Sequence, residues 1–588
     1  MSYIVVGISA HFHDSACCVL RDGVLVAAAQ EERFTRRKHE HGIPKLALKF
    51  CLDAGGMSIA DVDQVAYYEQ PIKKLGRQIW TLFQKTPSWP EALTRLDPHR
   101  PGREIRTVLG YEGPISFVDH HQAHAASAYY YSGFREAAVL TVDGVGEWAT
   151  TTYGHGRGAC LETFESVDFP HSLGLFYSAI TSYLGFDVND GEYKVMGLAP
   201  YGRPAYADQV RNIIHMGRGG QYSLDARFFD FLDPDRIFTD DLSTLFGRAP
   251  RARGEQIEPF HCDVARSAQC AVEEVLLEKV RYLHHRTSSP QLCLAGGVAL
   301  NCVANGRIAR EGPFRQVFVQ PAANDAGGCL GAAVIAQCQT RADLPLPGRL
   351  DDAFLGPRFH ADDIAALISA LGAKAHDYRH NEHALVAAVA ERLAAGKVIG
   401  WFHGRMEFGP RALGARSILA DPRLDGMRDR INALVKKRES FRPFAPAVLA
   451  SRCSDHFDLD HDSPFMLETC QVRSPLPLPA ITHVDNSARV QTVDITKSPR
   501  FGALLEAFDR LTGCPMLLNT SFNLNDEPIV CTPTDALLCF LRSTIDTLVL
   551  EDFVIDRDVL GPSTEMLFQR VGSMQAPPAI SHRTYTLF

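Results

Sequence analysis

The chain of 588 residues is too long for a single hydrophobic core, and it predicts a protein of two to four compact units. Its 46% hydrophobic and 22% charged residues are ordinary for a globular protein, and the absence of an 18-residue apolar run predicts no membrane span. A net charge of −9 argues against a general nucleic-acid surface. The fifteen cysteines lack a Cys-x-x-Cys pair and indicate reduced, buried thiols.

The first elements are three predicted strands at residues 3–9, 15–20 and 24–29, which begin without a secretory signal and favour a cytoplasmic protein. A polar turn separates the first two strands, and a hairpin turn separates the last two. The same order recurs at residues 137–166. Two copies of strand, polar turn and hairpin predict a duplicated α/β unit with the layout of actin-like ATPases.

Between the two copies, an apolar run leads to Asp119 and then to two histidines four residues apart, His120 and His124. If the chain turns helical after Asp119, both imidazoles lie on one face and form half of a metal site. Alternatively, one histidine packs or caps and the other is solvated. The pair lacks the glutamate that follows the first histidine in metalloproteases, which disfavours that class.

Two aspartates are candidates to complete the metal site. Asp143 follows a strand of the second copy, and Asp325 follows a strand at residues 316–319 and precedes a glycine-rich helix start. Either could instead cap a helix or form a turn. Nearby, Gly296 and Gly297 form a strand-to-helix turn at which a nucleotide can approach the backbone closely.

A segment rich in proline and glycine, residues 346–360, predicts a linker between a domain at 1–345 and a domain at 361–588. The second domain begins with a helix near residues 381–395 and a strand at 398–402, and its arginines are interrupted by Gly, Pro and Phe. Such a pattern indicates a binding groove for phosphates rather than a solvated helix face, although salt bridges to the protein's own acids would also explain it. The predicted anion site comprises Arg405, Arg411, Lys436, Arg438, Arg442, Arg489, Asn519 and Ser521.

These motifs, in this order over residues 3–556, resemble the O-carbamoyltransferase family of the nodulation, cephem and aminoglycoside type. The matching stretches begin at Gly7, Glu31, His120, Val142, Glu192, Gly296, Asp325, Arg405, Arg442 and Asn519. The resemblance implies an actin-like metal-dependent domain followed by a YrdC-like domain. It further implies that the second domain makes carbamoyl-adenylate from carbamoyl phosphate and ATP, and that the first transfers the carbamoyl group to a hydroxyl.

In this scheme His120, His124, Asp143 and Asp325 hold a divalent metal. The resemblance favours Fe(II), while mixed nitrogen and oxygen ligands also suit Mn, Zn or Mg. His13 is the expected general base, because an imidazole titrates near neutral pH. Alternatively, His13 only orients the phosphate turn, and Asp14 or a metal-bound group is the base. We expect the nucleotide of the first domain to meet Lys194, Gly296, Gly297 and Asn301.

The expected co-substrates are carbamoyl phosphate and ATP with Mg, and the expected acceptor is a small-molecule hydroxyl compound such as a secondary metabolite. The polar segment 202–260 falls outside the motifs and is expected to shape the acceptor pocket. No nucleic-acid or membrane partner is expected, and a homodimer is one option for the oligomeric state. The alternatives are an actin-like small-molecule kinase and a non-enzymatic nucleotide switch.

Overall fold

The computed structural model describes residues 2–84, 96–231, 233, 236–370, 372–436, 439 and 441–559. Within these limits the chain forms two compact units, one built from Met1–Glu31 and His39–Leu350, the other from Glu32–Lys38 and residues from Asp351 onward. Both are mixed α/β structures. Among the described residues, no helix has both the length and the apolar character needed to cross a membrane.

The strands before residue 350 are β1 Ile4–Ser9, β2 Ala16–Arg21, β3 Val24–Gln30, β4 Gln64–Tyr67, β5 Ile115–Phe117, β6 Glu136–Val142, β7 Ala149–Arg157, β8 Cys160–Asp168, β9 Ile214–Met216, β10 Tyr222–Leu224, β11 Gln291–Ala295 and β12 Gln316–Val319. The helices of this part are α1 Glu32–Thr35, α2 Lys45–Ala54, α3 Pro71–Gln84, α4 Arg100–Leu109, α5 His120–Tyr129, α6 Leu173–Tyr183, α7 Glu192–Leu198, α8 Ala207–Arg211, α9 Asp240–Phe246, α10 Pro259–Thr287, α11 Cys302–Glu311 and α12 Asp325–Thr340. Short 3₁₀ helices lie at Ile59–Asp61, Ala199–Tyr201, Arg218–Gly220, Ala226–Phe228 and Gly297–Leu300.

The first unit contains two five-stranded sheets with the same internal order. One runs β3-β2-β1-β4-β5 and the other β8-β7-β6-β11-β12. In each, the first three strands in sequence are antiparallel neighbours, whereas the last two run parallel to the first. The expected strands at 3–29 and 137–166 are therefore present, and the expected helix begins at His120 directly after Asp119.

Helix α12 packs between strand β1 and helix α5, and small residues make this possible. A Cβ on Gly7 of β1 would collide with the carbonyl oxygen of Cys329, and a Cβ on Gly331 of α12 would collide with that of Ala123. Side chains at these positions would separate the elements. Close packing of α5 against α12 brings the amino-terminal ends of both helices to the same region of the unit.

The second unit is built on one eight-stranded sheet of order β13-β22-β21-β14-β15-β20-β16-β19. Its strands, with the small pair β17 and β18, are β13 His376–Asp377, β14 Ile399–Phe402, β15 Arg416–Ala420, β16 Ala445–Leu449, β17 Cys470–Gln471, β18 Ser487–Ala488, β19 Gln491–Val493, β20 Met516–Ser521, β21 Thr547–Leu550 and β22 Phe553–Asp556. Its further helices are α13 Ala361–Ala370, α14 Glu382–Ala394, α15 Met427–Ile431, α16 Pro499–Thr512 and α17 Pro533–Arg542. A π-helical turn covers Asn432–Lys436, and 3₁₀ turns cover Ala450–Asp455 and Arg557–Val559. Trp401 and Phe402 lie fully buried in its hydrophobic core.

Candidate functional site

The candidate site of the first unit lies where parallel strands of both sheets end. In the first sheet β1, β4 and β5 are parallel, and in the second sheet β6, β11 and β12 are parallel. Carboxyl ends of parallel strands share one edge of a sheet, where α/β proteins bind ligands. The residues that follow these six strands include His13 and Asp14, Tyr68, His120 and His124, Asp143, Gly296 and Gly297, and Asn324 and Asp325.

The four predicted metal ligands converge. Nε2 of His120 lies 3.1 Å from Nε2 of His124 and 3.0 Å from Oδ2 of Asp143. Oδ1 of Asp325 lies 3.7 Å from Nε2 of His120 and 3.5 Å from that of His124. Two atoms that each bind one ion at about 2.1 Å lie about 3.0–3.5 Å apart at ordinary ligand angles, so this spacing fits a single ion.

The charge of the cluster also fits a cation. All four side chains are buried, and one ligand atom from each lies within 4.8 Å of the others. Burial disfavours a charged imidazole, yet Asp325 and Asp143 together raise the pKa of His120 to about 9. The buried carboxylates therefore stabilise a positive charge at this position, and the two nitrogen and two oxygen donors suit a divalent metal.

His13 and Asp14 form a hydrogen-bonded pair after strand β1. The Nδ1–H of His13 donates to Oδ2 of Asp14 at 2.7 Å. Nε2 is therefore the ring nitrogen that can exchange a proton with a substrate. Burial disfavours the charged imidazole of His13, but the carboxylate of Asp14 raises its pKa to about 9. His13 is therefore an imidazolium at neutral pH, and it can accept a proton only after losing one.

Asp14 is itself held by two further side chains. Nδ2 of Asn324 donates to Oδ2 of Asp14 at 2.7 Å, which connects the pair to the residue before Asp325. Nδ1 of His39 lies 3.6 Å from Oδ1 of Asp14, and Nε2 of His39 lies 3.7 Å from Asp190. Burial opposes the charged form, but Asp14 and Asp190 raise the pKa of His39 to about 10. Asp14 thus lies between two cationic imidazoles.

The other residues predicted for the first unit have varied environments. Gly296 adopts φ +91°, and a Cβ there would collide with the backbone of Val142; the amide of Gly297 donates to Oδ1 of Asp143 at 2.8 Å. Asn301 caps α11 through Ala304 and exchanges hydrogen bonds with Gln269. Lys194 lies on α7, with its ammonium 5.7 Å from the ring centroid of Phe186.

His121 lies between the two predicted ligand histidines in sequence but makes a different contact. Its Nδ1 lies 2.6 Å from Oγ1 of Thr141, which in turn contacts the hydroxyl of Thr152. Burial lowers the pKa of His121 to about 3, so the ring is neutral. The contacts indicate a structural role.

In the second unit, strand register places the ends of β14 and β20 and the starts of β15 and β16 at one edge of the sheet. Phe402 at the end of β14 pairs with Arg416 at the start of β15, and Ser417 pairs with Ser521 at the end of β20. Strand β16 starts beside Asn519, and β19 runs parallel to β16. Arg442 and Arg489 precede β16 and β19, and Arg411 lies in the loop before β15, so all three enter the sheet from this side in sequence.

Several of these side chains already contact the protein. Arg405 donates to the carbonyls of Leu355 and Gly356, and Arg442 lies 3.5 Å from Glu439. The amide of Asn519 donates to Gln491 and Ala412, and Ser521 donates to Asn523. Arg438 lies outside the described residues, as does the side chain of Lys436.

Some residues of the two sites were not anticipated. The hydroxyl of Tyr68 donates to Oδ2 of Asp325 at 3.2 Å, and Oε1 of Glu147 accepts from the amide of His120 at 2.9 Å. Glu407 accepts three backbone N–H groups of its loop, from Leu413, Ala415 and Arg416. Tyr68 directly follows β4, and a position after a parallel strand is the sequence feature that could have identified it as a site residue.

Two family models match the chain. The carbamoyltransferase N-terminus matches residues 4–85 and 102–334, and the carbamoyltransferase C-terminus matches residues 390–557. Together they cover both units.

Individual relatives agree with these matches. A protein of Synechocystis sp. is 44% identical over 94% of this chain and 96% of its own length. The nodulation protein NolNO of Sinorhizobium fredii is 38% identical over 94% of this chain and 80% of its own. The 3'-hydroxymethylcephem-O-carbamoyltransferase of Amycolatopsis lactamdurans is 38% identical over 44% of this chain and 47% of its own.

Proposed function

Because the chain belongs to the carbamoyltransferase family, we propose that it transfers a carbamoyl group to a hydroxyl of a small-molecule acceptor, with carbamoyl phosphate and ATP as co-substrates. The observation that carries this proposal is the His13–Asp14 pair, which is hydrogen-bonded to Asn324, the residue before the proposed ligand Asp325. An acid–base group beside a cation site suits acyl transfer with a phosphate leaving group.

The first step belongs to the second unit. Water attacks the phosphorus of carbamoyl phosphate and releases phosphate and carbamate. A carbamate oxygen then bonds to the α-phosphorus of ATP, and pyrophosphate leaves, which gives carbamoyl-adenylate. Carbamoyl phosphate is a small dianion whose capture needs several cationic donors, and guanidinium groups bind such oxygens in pairs. The sheet edge with Arg411, Arg442, Arg489 and Ser521 supports this assignment, and Mg accompanies the ATP.

The second step belongs to the first unit. The acceptor hydroxyl oxygen bonds to the carbamoyl carbon, and the bond between this carbon and the phosphate oxygen of the adenylate breaks, so AMP leaves with the electron pair. The neutral form of His13 accepts the hydroxyl proton at Nε2, while Asp14 keeps Nδ1 protonated and fixes the ring. Lys194, Gly296, Gly297 and Asn301 remain our proposed contacts for the nucleotide.

His120, His124, Asp143 and Asp325 would hold a divalent metal, which would supply a positive charge for the phosphate oxygens of the leaving AMP. The resemblance favours Fe(II), and the donor set also accepts Mn, Zn or Mg.

We also propose that the first unit is a duplicated actin-like domain and the second a YrdC-like domain, with the linker at 346–360. The shared strand order and directions of the two five-stranded sheets support the duplication. A hydroxyl acceptor is suggested by the name of the 3'-hydroxymethylcephem-O-carbamoyltransferase, and the segment 202–260 is our candidate for the acceptor pocket.

The nucleotide product tests this function against a kinase or a nucleotide switch. The protein is incubated with ATP, with and without carbamoyl phosphate, and phosphorus NMR identifies the products. AMP and pyrophosphate that depend on carbamoyl phosphate are expected, whereas ADP would refute the proposal. Arg489→Ala should abolish carbamoyl-adenylate formation. His13→Asn should still form carbamoyl-adenylate and lose only transfer, tested with 3'-hydroxymethylcephem among a panel of hydroxyl compounds.

A further inference from the structure

The two histidines of the metal site are not oriented by the contacts usual for metal ligands. A metal-binding histidine ordinarily donates its second ring N–H to a carboxylate, a carbonyl or water, which fixes the ring. Here Nδ1 of His120 and Nδ1 of His124 are both buried, and neither meets a hydrogen-bond partner among the described residues. Orientation of this site must therefore come from other contacts.

The two aspartates supply those contacts. Oδ1 of Asp143 accepts from the amide of Gly297 at 2.8 Å, and Oδ2 of Asp325 accepts from the hydroxyl of Tyr68 at 3.2 Å. The opposite oxygen of each carboxylate faces the histidines. Each aspartate thus has one oxygen held by the protein and one oxygen in the cluster.

Tyr68 is buried and closely packed, so its hydroxyl can fix the orientation of the Asp325 carboxylate. It is 1% exposed and its ring centroid lies 5.1 Å from that of His120, so it contacts two of the four ligands. Gly328 in the first turn of α12 makes room for it, because a Cβ there would lie 2.7 Å from Cδ2 of Tyr68. The hydroxyl is therefore held beside Asp325 by packing on both sides.

We propose that Tyr68 is a positioning residue of the metal site, whose hydroxyl holds Oδ2 of Asp325 so that this carboxylate offers the metal Oδ1 alone. The inference rests on the proposed metal site and adds to it a residue outside the four ligands. Without the hydroxyl, either oxygen of Asp325 can turn toward the cation. Both the affinity for the metal and the ligand field around it then change.

The test is Co(II) titration of metal-free Tyr68→Phe, followed by its visible absorption spectrum. Loss of a contact of this kind is expected to weaken binding by about 10–100-fold and to alter the Co(II) bands. The phenyl ring keeps its packing on His120, so the thermal unfolding of the metal-free protein should change little. Tyr131→Phe is the matched control, because the Tyr131 hydroxyl is buried without a partner among the described residues, and this variant should bind Co(II) like the parent protein.

The variant His124→Ala distinguishes a failure of the proposed metal site from a failure of the role proposed for Tyr68. If the parent protein does not bind Co(II), or His124→Ala binds it equally well, the metal site itself is refuted and the role of Tyr68 with it. If His124→Ala loses the metal but Tyr68→Phe matches the parent in affinity or in spectrum, only the positioning role is overturned.

Discussion

Replacement of Asp14 by Asn should change the titration of His13 more than any other property of the protein. The pKa of His13 is raised to about 9 from an ordinary 6.5, and the rise corresponds to about 3 kcal/mol of preference for the imidazolium. Burial works against this charge, so removal of the carboxylate should bring the pKa of His13 back to 6.5 or lower. In the parent protein only about 1% of His13 is neutral at pH 7.

Carbon-13 labelling of the histidine rings allows a direct measurement in metal-free protein. The His13 resonance is assigned by its loss in His13→Asn, and its midpoint should lie near pH 9 in the parent protein and fall by at least two pH units in Asp14→Asn. Asp53→Asn, which removes a surface partner of Lys49, is the control and should leave the midpoint unchanged. A parent midpoint near 6.5, or one unaffected by Asp14→Asn, would refute the role given to the Asp14 carboxylate.

Three further outcomes are expected. If neutral His13 is the base, single-turnover transfer should rise about tenfold from pH 7 to pH 8 and level off above about 9; a flat profile contradicts this. Gly331→Ala should weaken Co(II) binding by separating the ligand-bearing helices, whereas Gly348→Ala, with open space around it, should not. Arg416→Met should destabilise the second unit by about 3 kcal/mol or more in thermal unfolding, because the buried guanidinium donates to four backbone carbonyls, while exposed Arg510→Met should have little effect.

The elements of the first unit were predictable because their signals are local. Alternating and continuous apolar runs marked the strands, and the spacing of His120 and His124 marked one helix face. The pattern repeated in the sequence predicted three strands in each copy, and the structure has them as antiparallel neighbours in two separate sheets. Asp143 and Asp325 could be chosen because both follow apolar strands, where parallel strands place ligands. The structure brings these four side chains together.

Other contacts depend on tertiary packing and carry no local signal. In the sequence, Tyr68 cannot be distinguished from any other buried aromatic residue, because its contact with Asp325 appears only in the fold. Asn324 likewise has the sequence position of an ordinary helix cap. The raised pKa of His13 arises from the Asp14 carboxylate in a buried turn and could not be read from residue type. In the second unit, sequence alone could not show that Arg405 donates to two backbone carbonyls.

The four proposed ligand residues are spread over about two hundred positions of the sequence but belong to one cluster. His120 and Asp325 are separated by about two hundred residues, and Asp143 follows a strand of the second sheet while the histidines follow a strand of the first. A cluster of this kind cannot exist in a partly folded chain, since loop closure over such distances requires both sheets to be formed and docked. Metal uptake during refolding should therefore be a late event that reports completion of the whole first unit, and chelation should weaken the docking of its two sheets.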